Sequence, residues 1–245
     1  MNGLRSRQTL GKVTRLTGVA AGLLLAGAAA LAEDSSKNLA PGFNALPPAA
    51  KVLIAPPDIE LFEISAGGVP EPRGDWTETA KHLLRAELES RRGSLGVQTL
   101  DLDEGTADEF GEVLSLQAAV SQAIATHHFG GVPLPTKNGQ LDWSYGDAMQ
   151  PLEQRSGARY CLFIWVRDGY ASASRQATIA LTAILSLGHV ILGGGVQSAN
   201  ASLVDLESGR VLWFNHIARG RGDLRETDSA AETVGELLKN FPAAK

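Results

Sequence analysis

The sequence predicts an α/β sandwich with a mixed β-sheet, a late β-hairpin and packed amphipathic helices. Strands and helices alternate in the first half of the chain, an apolar strand covers 158–166, and a hairpin pattern covers 196–219. Alternating strands and helices favour a sheet with helices packed on it, and a hairpin adds an antiparallel pair. The sheet should therefore contain both parallel and antiparallel strands.

The first 32 residues have the features of a bacterial secretory signal. The uncharged stretch 16–32 ends in Ala30-Leu31-Ala32. Four basic residues precede it: Arg5, Arg7, Lys12 and Arg15. A positive start, a short apolar core and a small-x-small site are what signal peptidase requires. We predict cleavage after Ala32 and a periplasmic protein, with no cysteine near the cleavage site to carry a lipid anchor.

The composition of residues 33–50, rich in Ser, Asn, Pro and Gly, predicts a flexible leader ahead of one α/β domain at 51–245. The domain should begin with the apolar run Val52–Ile54, which stops at Pro56-Pro57, followed by the near-alternating segment 59–64. We expect two short strands or one bent strand here.

Two amphipathic helices and a strand should follow. Asp75 and Glu78 have capping-box spacing, so the first helix is expected to start there and to end at Gly93. Residues 97–102 alternate as a strand. The second helix is expected to start at Thr106 or Asp108 and to end at Gly130-Gly131, with an apolar face that comprises Phe110, Val113, Leu116, Val120 and Ile124.

The middle of the chain predicts a surface excursion, a short helix and the central strand. The excursion at 132–144 contains Asn138-Gly139, a sequence that favours a small hairpin. A helix at 147–155 should end at Gly157. In the strand 158–166 both alternating sets of side chains are apolar, which is typical of a strand covered on both faces.

A hairpin and a helix should complete the fold. The second hairpin strand, 211–217, follows the turn Glu207-Ser208-Gly209, where Gly209 can supply a positive φ. A terminal helix is expected at 227–239.

The charge of the chain argues against nucleic-acid binding. Residues 1–32 carry four basic and no acidic side chains, so removing them changes the formal net charge from −5 to −9. Proteins that bind phosphate backbones need clustered Lys and Arg. The single cysteine, Cys161, cannot form an internal disulfide and is expected to be an inert core residue.

The residues that could carry catalysis are scattered. Adjacent His127 and His128 would point about 100° apart on a helix and cannot bind one metal as an i, i+4 pair would. The sequence has no P-loop, no G-x-S-x-G and no H-E-x-x-H. We therefore predict no catalytic centre, cofactor or metal. The alternative is a hydrolase that uses Asp101, Asp103, Asp168 and one of the two histidines.

Two segments are candidate sites. The first is a polar loop after the central strand, comprising Arg167, Asp168, Tyr170 and Arg175. The second is the apolar, uncharged segment 177–195, for which a buried core helix, a partner-docking segment and a membrane-inserting element all remain open. Its candidate partner surface comprises Ile179, Leu181, Ile184, Leu185, Leu187, Val190, Ile191 and Leu192.

The stretch 158–215 carries a family resemblance. An apolar strand follows Gly-Ala-Arg-Tyr, and Leu203-Val204-Asp205 leads into a turn with Ser208-Gly209 and a strand that carries Trp213. This pattern resembles bacterial envelope lipoproteins related to the curli-secretion channel protein and to the amino-terminal domain of TolB. The resemblance implies a mixed-sheet α/β domain that assists assembly or transport in the envelope.

The sequence as a whole thus predicts a non-enzymatic periplasmic accessory or scaffold protein of an envelope assembly or export system. Its partner would be an envelope protein or a second copy of the chain, and membrane-interface contact remains open. Besides the hydrolase, a small-ligand or lipid-binding module is an alternative, which would need an apolar cavity with a few convergent polar groups.

Overall fold

Strand β5 (Tyr160–Ala171) organises the sheet of this protein, whose computed structural model describes residues 37–186 and 195–244. One edge of β5 pairs along its length with antiparallel β6 (Gly195–Asp205). Its other edge pairs in parallel, first with β1 (Lys51–Ile54) and then with β2 (Asp58–Ile64). The predicted alternatives for 52–64 are thus resolved as two strands that lie end to end along β5.

Three outer strands complete a seven-stranded mixed sheet within the described residues. β4 (Gln98–Asp101) runs parallel to β1, and β3 (Pro70–Pro72) runs antiparallel to β2. β7 (Val211–Arg219) forms the predicted hairpin with β6. Its turn contains Gly209 at φ +67°, and a Cβ atom there would lie 2.0 Å from the carbonyl oxygen of Gly146. Both conformation and close approach therefore require glycine.

Helices cover the two faces of the sheet, which confirms the α/β sandwich and makes it three-layered. α1 (Gly74–Arg91) and α6 (Thr227–Leu237) pack on one face, in a core that includes Leu84, Val234 and Trp213. α2 (Glu104–Glu109), α3 (Gly111–Ile124) and α4 (Gln150–Ser156) lie on the other face, in a core built around Phe163 and Phe214. The described residues belong to one compact unit.

Short helical turns connect these elements. A π-helical turn, Ala125–Phe129, extends α3. Turns of 3-10 helix occur at Arg92–Leu95, Pro135–Lys137 and Gly146–Met149. α4 ends at Gly157 (φ +67°), as predicted. The hairpin expected at Asn138-Gly139 is not formed: both residues have positive φ, but they follow a 3-10 turn, and no strand flanks them in the described residues.

The starts of the first two helices differ from the prediction. Arg73 is the N-cap residue of α1, and Asp75 lies inside the first turn, where it pairs with Arg73 at 3.0 Å. An ion pair has therefore replaced the expected capping box. The second helix is divided at Phe110, and it starts earlier than predicted because Asp103 caps α2 by accepting a hydrogen bond from the amide of Thr106.

The face that α3 turns to the sheet differs from the predicted apolar face. Leu116, expected in the apolar face, is 38% exposed, whereas Gln117 and Ser121 are buried. Gln117 Nε2 donates hydrogen bonds to the hydroxyls of Ser121 (2.7 Å) and Ser202 (3.1 Å). Because β6 presents Ser202 on this face, burying a leucine opposite it would leave a polar group without a partner.

Residues 37–50, expected to belong to a flexible leader, pack on the sheet. Leu39 bridges to Trp213 in β7, the amide of Ala40 donates to Leu212 O at 2.9 Å, and Leu46 is buried. Edge strand β7 offers unpaired backbone groups, and this segment pairs with them. Residues 1–36, which contain the predicted signal and its cleavage site, lie outside the described residues.

Among the described residues, no helix covers one half of one sheet face. The helical layer formed by α2, α3 and α4 reaches Phe163 in β5, but Trp165 and Arg167 further along the same face are half-exposed. Register places charged and polar side chains of the neighbouring strands beside them and apolar ones further along the same open half-face: Asp58, Glu60, Ser198, Phe62, Ile64 and Val196. All six are half-buried or exposed. The open half-face lies toward the carboxyl end of β5.

Candidate interaction surface

Helix α5 (Ala173–Leu185) lies in the connection between β5 and β6. Ser172 caps it by accepting a hydrogen bond from the amide of Arg175 at 3.1 Å. The two strands that the connection joins are paired up to Tyr170 and Gly195. A Cβ atom at position 195 would lie 2.5 Å from Gly169 O, so the base of the connection needs glycine there. The start of α5 therefore follows directly on the paired end of β5.

The two sides of α5 have an unusual distribution of polarity. The side toward the protein carries polar, half-buried side chains at helical spacing, among them Arg175, Thr178, Thr182 and Ser186. The opposite side is a stripe of exposed apolar residues with the same spacing, which we call the outer stripe: Ala177, Ala180, Leu181, Ile184 and Leu185. On an isolated surface helix the apolar stripe would face the core.

Exposure along the outer stripe is large. Leu181 is 58% exposed, Ile184 71% and Leu185 75%, and no residue of α5 is buried. The described part of the apolar segment is therefore not a core helix. Ile179 lies half-buried on the side toward the protein. The remaining members of the predicted partner surface, Leu187, Val190, Ile191 and Leu192, lie outside the described residues.

A buried polar network lies at the base of α5. Asp168 is 2% exposed and accepts hydrogen bonds from the Tyr170 hydroxyl (2.5 Å) and from Gln197 Nε2 (2.7 Å). The Tyr170 hydroxyl accepts a hydrogen bond from the amide of Leu224 at 2.6 Å. Gln197 Oε1 accepts one from Arg219 Nε at 2.8 Å. The network thus joins β5 to β6, β7 and the loop before α6.

Burial raises the pKa of Asp168 to about 6, although the hydrogen bonds from Tyr170 and Gln197 favour its charged form. The nearby carboxylate of Asp223 raises it further. Burial, followed by the hydrogen bond to Asp168, raises the pKa of Tyr170. Asp168 is therefore a carboxyl group that titrates near neutral pH inside the sheet.

The predicted polar loop is not a loop. Arg167, Asp168 and Tyr170 belong to β5, and Arg175 lies in the first turn of α5. Arg167 contacts Asp58 at 2.8 Å and covers the Trp165 ring on the open half-face. Side-chain direction alternates along a strand, so Arg167 and Asp168 point to opposite faces and cannot form one recognition site. Only Asp168 and Tyr170 act together.

Sequence reasoning missed Gln197, Arg219 and Thr233, which complete the network. Gln197 is the register partner of Asp168 in β6, and Arg219 is the partner of Gln197 in β7. If the predicted central strand had been extended to Tyr170, Asp168 would have lain opposite Gln197 in the next strand. Directly opposite residues of antiparallel strands point to the same face of the sheet, where their side chains can interact.

Asp101 and Asp103 line one cleft, but the other residues of the alternative hydrolase do not converge on it. Asp101 is aligned through Ile54 with Leu162, six residues before Asp168 in β5, so the two carboxylates lie about 20 Å apart along the strands. His127 and His128 lie in the π-helical turn beside Phe129, which stacks on Phe214 in the core of the opposite sheet face. Groups so far apart cannot share a proton or a substrate atom.

A cleft with a volume of about 370 Å³ lies at the carboxyl ends of β1 and β4. Its lining includes Pro56, Leu88 and Asp103, together with two arginines. Both arginines have acidic partners, since Arg85 pairs with Glu104 and Arg92 with Asp101. The hydrogen bond from the Thr106 hydroxyl lowers the pKa of Asp103. A ligand there would have to displace existing ion pairs.

Metal sites, membrane-crossing helices and the single cysteine were the remaining features to locate in the structure. Within residues 37–186 and 195–244, no three or more His, Cys, Asp or Glu side chains are grouped so that they could hold a metal ion. Over the same residues, no helix has both the length and the apolar character that crossing a bilayer demands. Cys161 is fully buried, and burial raises the pKa of its thiol.

Comparison with known proteins gives remote structural neighbours. No protein-family model and no curated protein matches the chain. The PelC dodecamer from Paraburkholderia phytofirmans is 12% identical, over 83% of this chain and 94% of that one, with a TM-score of 0.36. Lipoprotein GNA1162 from Neisseria meningitidis is 15% identical, over 78% and 94% of the two chains, with a TM-score of 0.31.

A third neighbour is a putative neuraminyllactose-binding hemagglutinin homolog from Helicobacter pylori, 11% identical over 84% of this chain and 92% of that one, with a TM-score of 0.37. The neighbours named here are bacterial proteins, and one of them is a lipoprotein. At such identities and TM-scores they carry no argument about what this chain binds. The narrower resemblance to the curli-secretion channel protein and to TolB stays a prediction.

Proposed function

We propose that this chain is a non-catalytic accessory or scaffold protein of the bacterial envelope, exported to the periplasm, which acts by binding a protein through the outer stripe of α5. The observation that carries the proposal is the outward position of Leu181, Ile184 and Leu185 on a helix without buried residues. The envelope location rests on the signal predicted at residues 1–32.

The grouping of these side chains on one face of α5 has an energetic consequence. Single exposed apolar residues are normal on protein surfaces and need no explanation. Here three large apolar side chains lie on one face of one helix, and covering each would contribute roughly 1.5–3 kcal/mol. Large apolar side chains grouped in this way on one helix are typical of an interaction site.

Chemistry at the other candidate sites supports a non-catalytic role. Of the groups that a hydrolase would use, Asp101 lies about 20 Å from Asp168 along the strands, and the histidines lie beside the sheet face opposite to Asp168. The perturbed carboxyl, Asp168, is enclosed by Tyr170, Gln197 and β-sheet backbone, and it is 2% exposed. A substrate could reach it only if the sheet opened, so its network supports the base of α5 and is not a reaction centre.

Site-specific photocross-linking in cells tests the proposal. A photoreactive phenylalanine analogue would replace Leu181, Ile184 or Leu185 in turn, with Val132 as the control because it is equally exposed (59%) but lies in the loop after the π-helical turn. Covalent protein adducts are expected at all three stripe positions. If position 132 gave the same adducts, or the stripe gave none, the outer stripe would not be the binding surface.

A further inference from the structure

We infer that the protein bound at the outer stripe is a second copy of this chain, in a two-fold symmetric contact in which α5 packs antiparallel on α5. This inference rests on the proposed function and goes beyond it, because it names the partner. Three observations support it: the charge of the surface, the order of small and large residues along the stripe, and the polarity of the opposite side of α5.

The charge distribution favours self-association at this position. Between Gln176 and Val204 the chain has no Asp, Glu, Lys or Arg, although 20% of all its residues are charged. The whole chain has a formal net charge of −5, so two copies repel each other elsewhere. A two-fold contact places the same patch against itself, and an uncharged patch brings no like charges together. A different protein would normally be selected by complementary charge at the rim, which this helix does not offer.

The order of residues along the outer stripe is self-complementary. Ala177 and Leu185 lie four residues before and after Leu181, on the same side of α5. In an antiparallel pair centred on Leu181, the Leu185 side chain of one copy meets Ala177 of the other. Small residues opposite large ones let two helices approach closely and interdigitate. A parallel pair would place Leu185 against Leu185 and lose this fit.

A lipid surface is a poorer match. Helices that bind in the membrane interface carry Lys and Arg on their polar side, which contact lipid headgroups. The polar side of α5 carries Thr178, Thr182 and Ser186, with Arg175 as its basic residue. Arg175 lies at the start of the helix near Ala66 O, where its guanidinium approaches to 3.5 Å. The helix therefore has little to bind anionic headgroups.

Sedimentation velocity of the purified exported protein over a wide concentration range gives the first test. Wild-type protein and the Val132→Asp control should associate to a dimer to the same extent. Ile184→Asp should weaken self-association by about 100-fold or more, because it buries a charge against its own copy. Raising the salt concentration should not weaken the wild-type dimer, since no ion pair crosses the contact.

Variants with one added cysteine test the orientation. Native Cys161 is fully buried, so an added surface thiol is the reactive one. Leu181→Cys, at the predicted two-fold axis, should form a disulfide-linked dimer on mild oxidation, and Val132→Cys should not. A mixture of Ala177→Cys and Leu185→Cys proteins should form mixed dimers faster than either variant pairs with itself. Faster pairing of Leu185→Cys with itself would overturn the antiparallel arrangement.

Failure of this inference can be distinguished from failure of the proposed function. A chain that stays monomeric at every concentration and forms no Leu181→Cys dimer overturns the second-copy inference. If adducts at position 184 in cells then have the mass of this chain plus a different protein, the proposed function survives. Co-sedimentation of the monomer with anionic phospholipid vesicles, lost in Ile184→Asp, would instead assign the stripe to the membrane. No association by any of these assays would overturn both.

Discussion

Helices α5 and α6 carry similar apolar stripes and meet opposite environments. In α6, Ala230, Val234 and Leu237 pack against the sheet, and the other side carries the exposed charges of Asp228, Glu232 and Glu236. In α5, Leu181, Ile184 and Leu185 point outward, and the side toward the protein carries threonines and a serine together with Ile179. Periodicity identifies which residues share a face, but the position of the charges indicates which face meets water.

The comparison predicts a large loss of stability for a charge in the covered helix. Leu237 is fully buried, so Leu237→Asp would place an unpaired carboxylate in the core beneath α6. We expect a loss of about 4 kcal/mol or more, a large part of the stability of such a domain. Chemical denaturation followed by circular dichroism measures it. A folded variant with near-normal stability would mean that α6 is not part of the core.

Substituting a glycine should cost more stability in a packed turn than in an open one. Gly209 and Gly139 both have positive φ, but a Cβ atom at 209 would clash with Gly146, whereas nothing lies within 4 Å of one at 139. Gly139→Val should therefore show only the cost of an unfavourable backbone, about 1–3 kcal/mol. Gly209→Val should cost more than that, because the hairpin must also move away from Gly146. Equal losses in thermal and denaturant unfolding would contradict the close packing of the turn.

The Gly209 turn was predictable because its signal is local. The wrong predictions concern residues whose secondary structure or burial depends on contacts with distant parts of the chain. Arg167 and Asp168 look like loop residues in isolation. They lie in β5 because Asp58 pairs with the first, and Gln197 lies opposite the second. Leu116 follows helical apolar spacing, yet Gln117 is buried because Ser202 lies on the facing strand. Local pattern thus identified the strands and helices, but not which polar groups would find buried partners.

The same limit applies to the candidate site. The uncharged run from Gln176 onward indicated an unusual surface, and its composition left three environments open. Which side of α5 faces outward depends on how Ser172 and Arg175 attach the helix to the end of β5. That attachment involves Ile64, whose carbonyl accepts a hydrogen bond from the Ser172 amide at 3.0 Å. A contact more than a hundred residues apart cannot be inferred from the periodicity of the helix.

The base of α5 should contribute a pH dependence to stability. Because the pKa of Asp168 is raised to about 6 from an unfolded value near 4, the folded state disfavours the charged carboxylate. Stability from this group is complete below pH 4 and is lost as the pH rises through about 6, with an amplitude of roughly 3 kcal/mol. Asp168→Asn should remove this slope. Asp142→Asn, which removes an exposed carboxylate, should keep it.

Unfolding free energies measured between pH 4 and pH 8 would test this prediction. Burial lowers the pKa of His128 and of His216, which makes stability rise with pH, so the contribution of Asp168 is the difference between wild type and Asp168→Asn. A wild-type stability that rises relative to Asp168→Asn over this range would show that Tyr170 and Gln197 stabilise the carboxylate more than burial disfavours it. In that case Asp168→Asn should destabilise the protein most at high pH. The sign of this difference in slope therefore decides whether the network strains the base of α5 or secures it.

The smallest expected effect is the change in unfolding free energy of the Ile184→Asp variant. It tests whether α5, unlike α6, lies outside the core. The Ile184 side chain is 71% exposed, so a carboxylate there stays in water and leaves no cavity. We expect the unfolding free energy of the monomer to change by less than about 0.5 kcal/mol, as for Val132→Asp. Measuring at a concentration below that of dimer formation keeps association from contributing. A loss as large as that of Leu237→Asp would show that α5 is held against the domain in solution, and its outer stripe would then be part of the core.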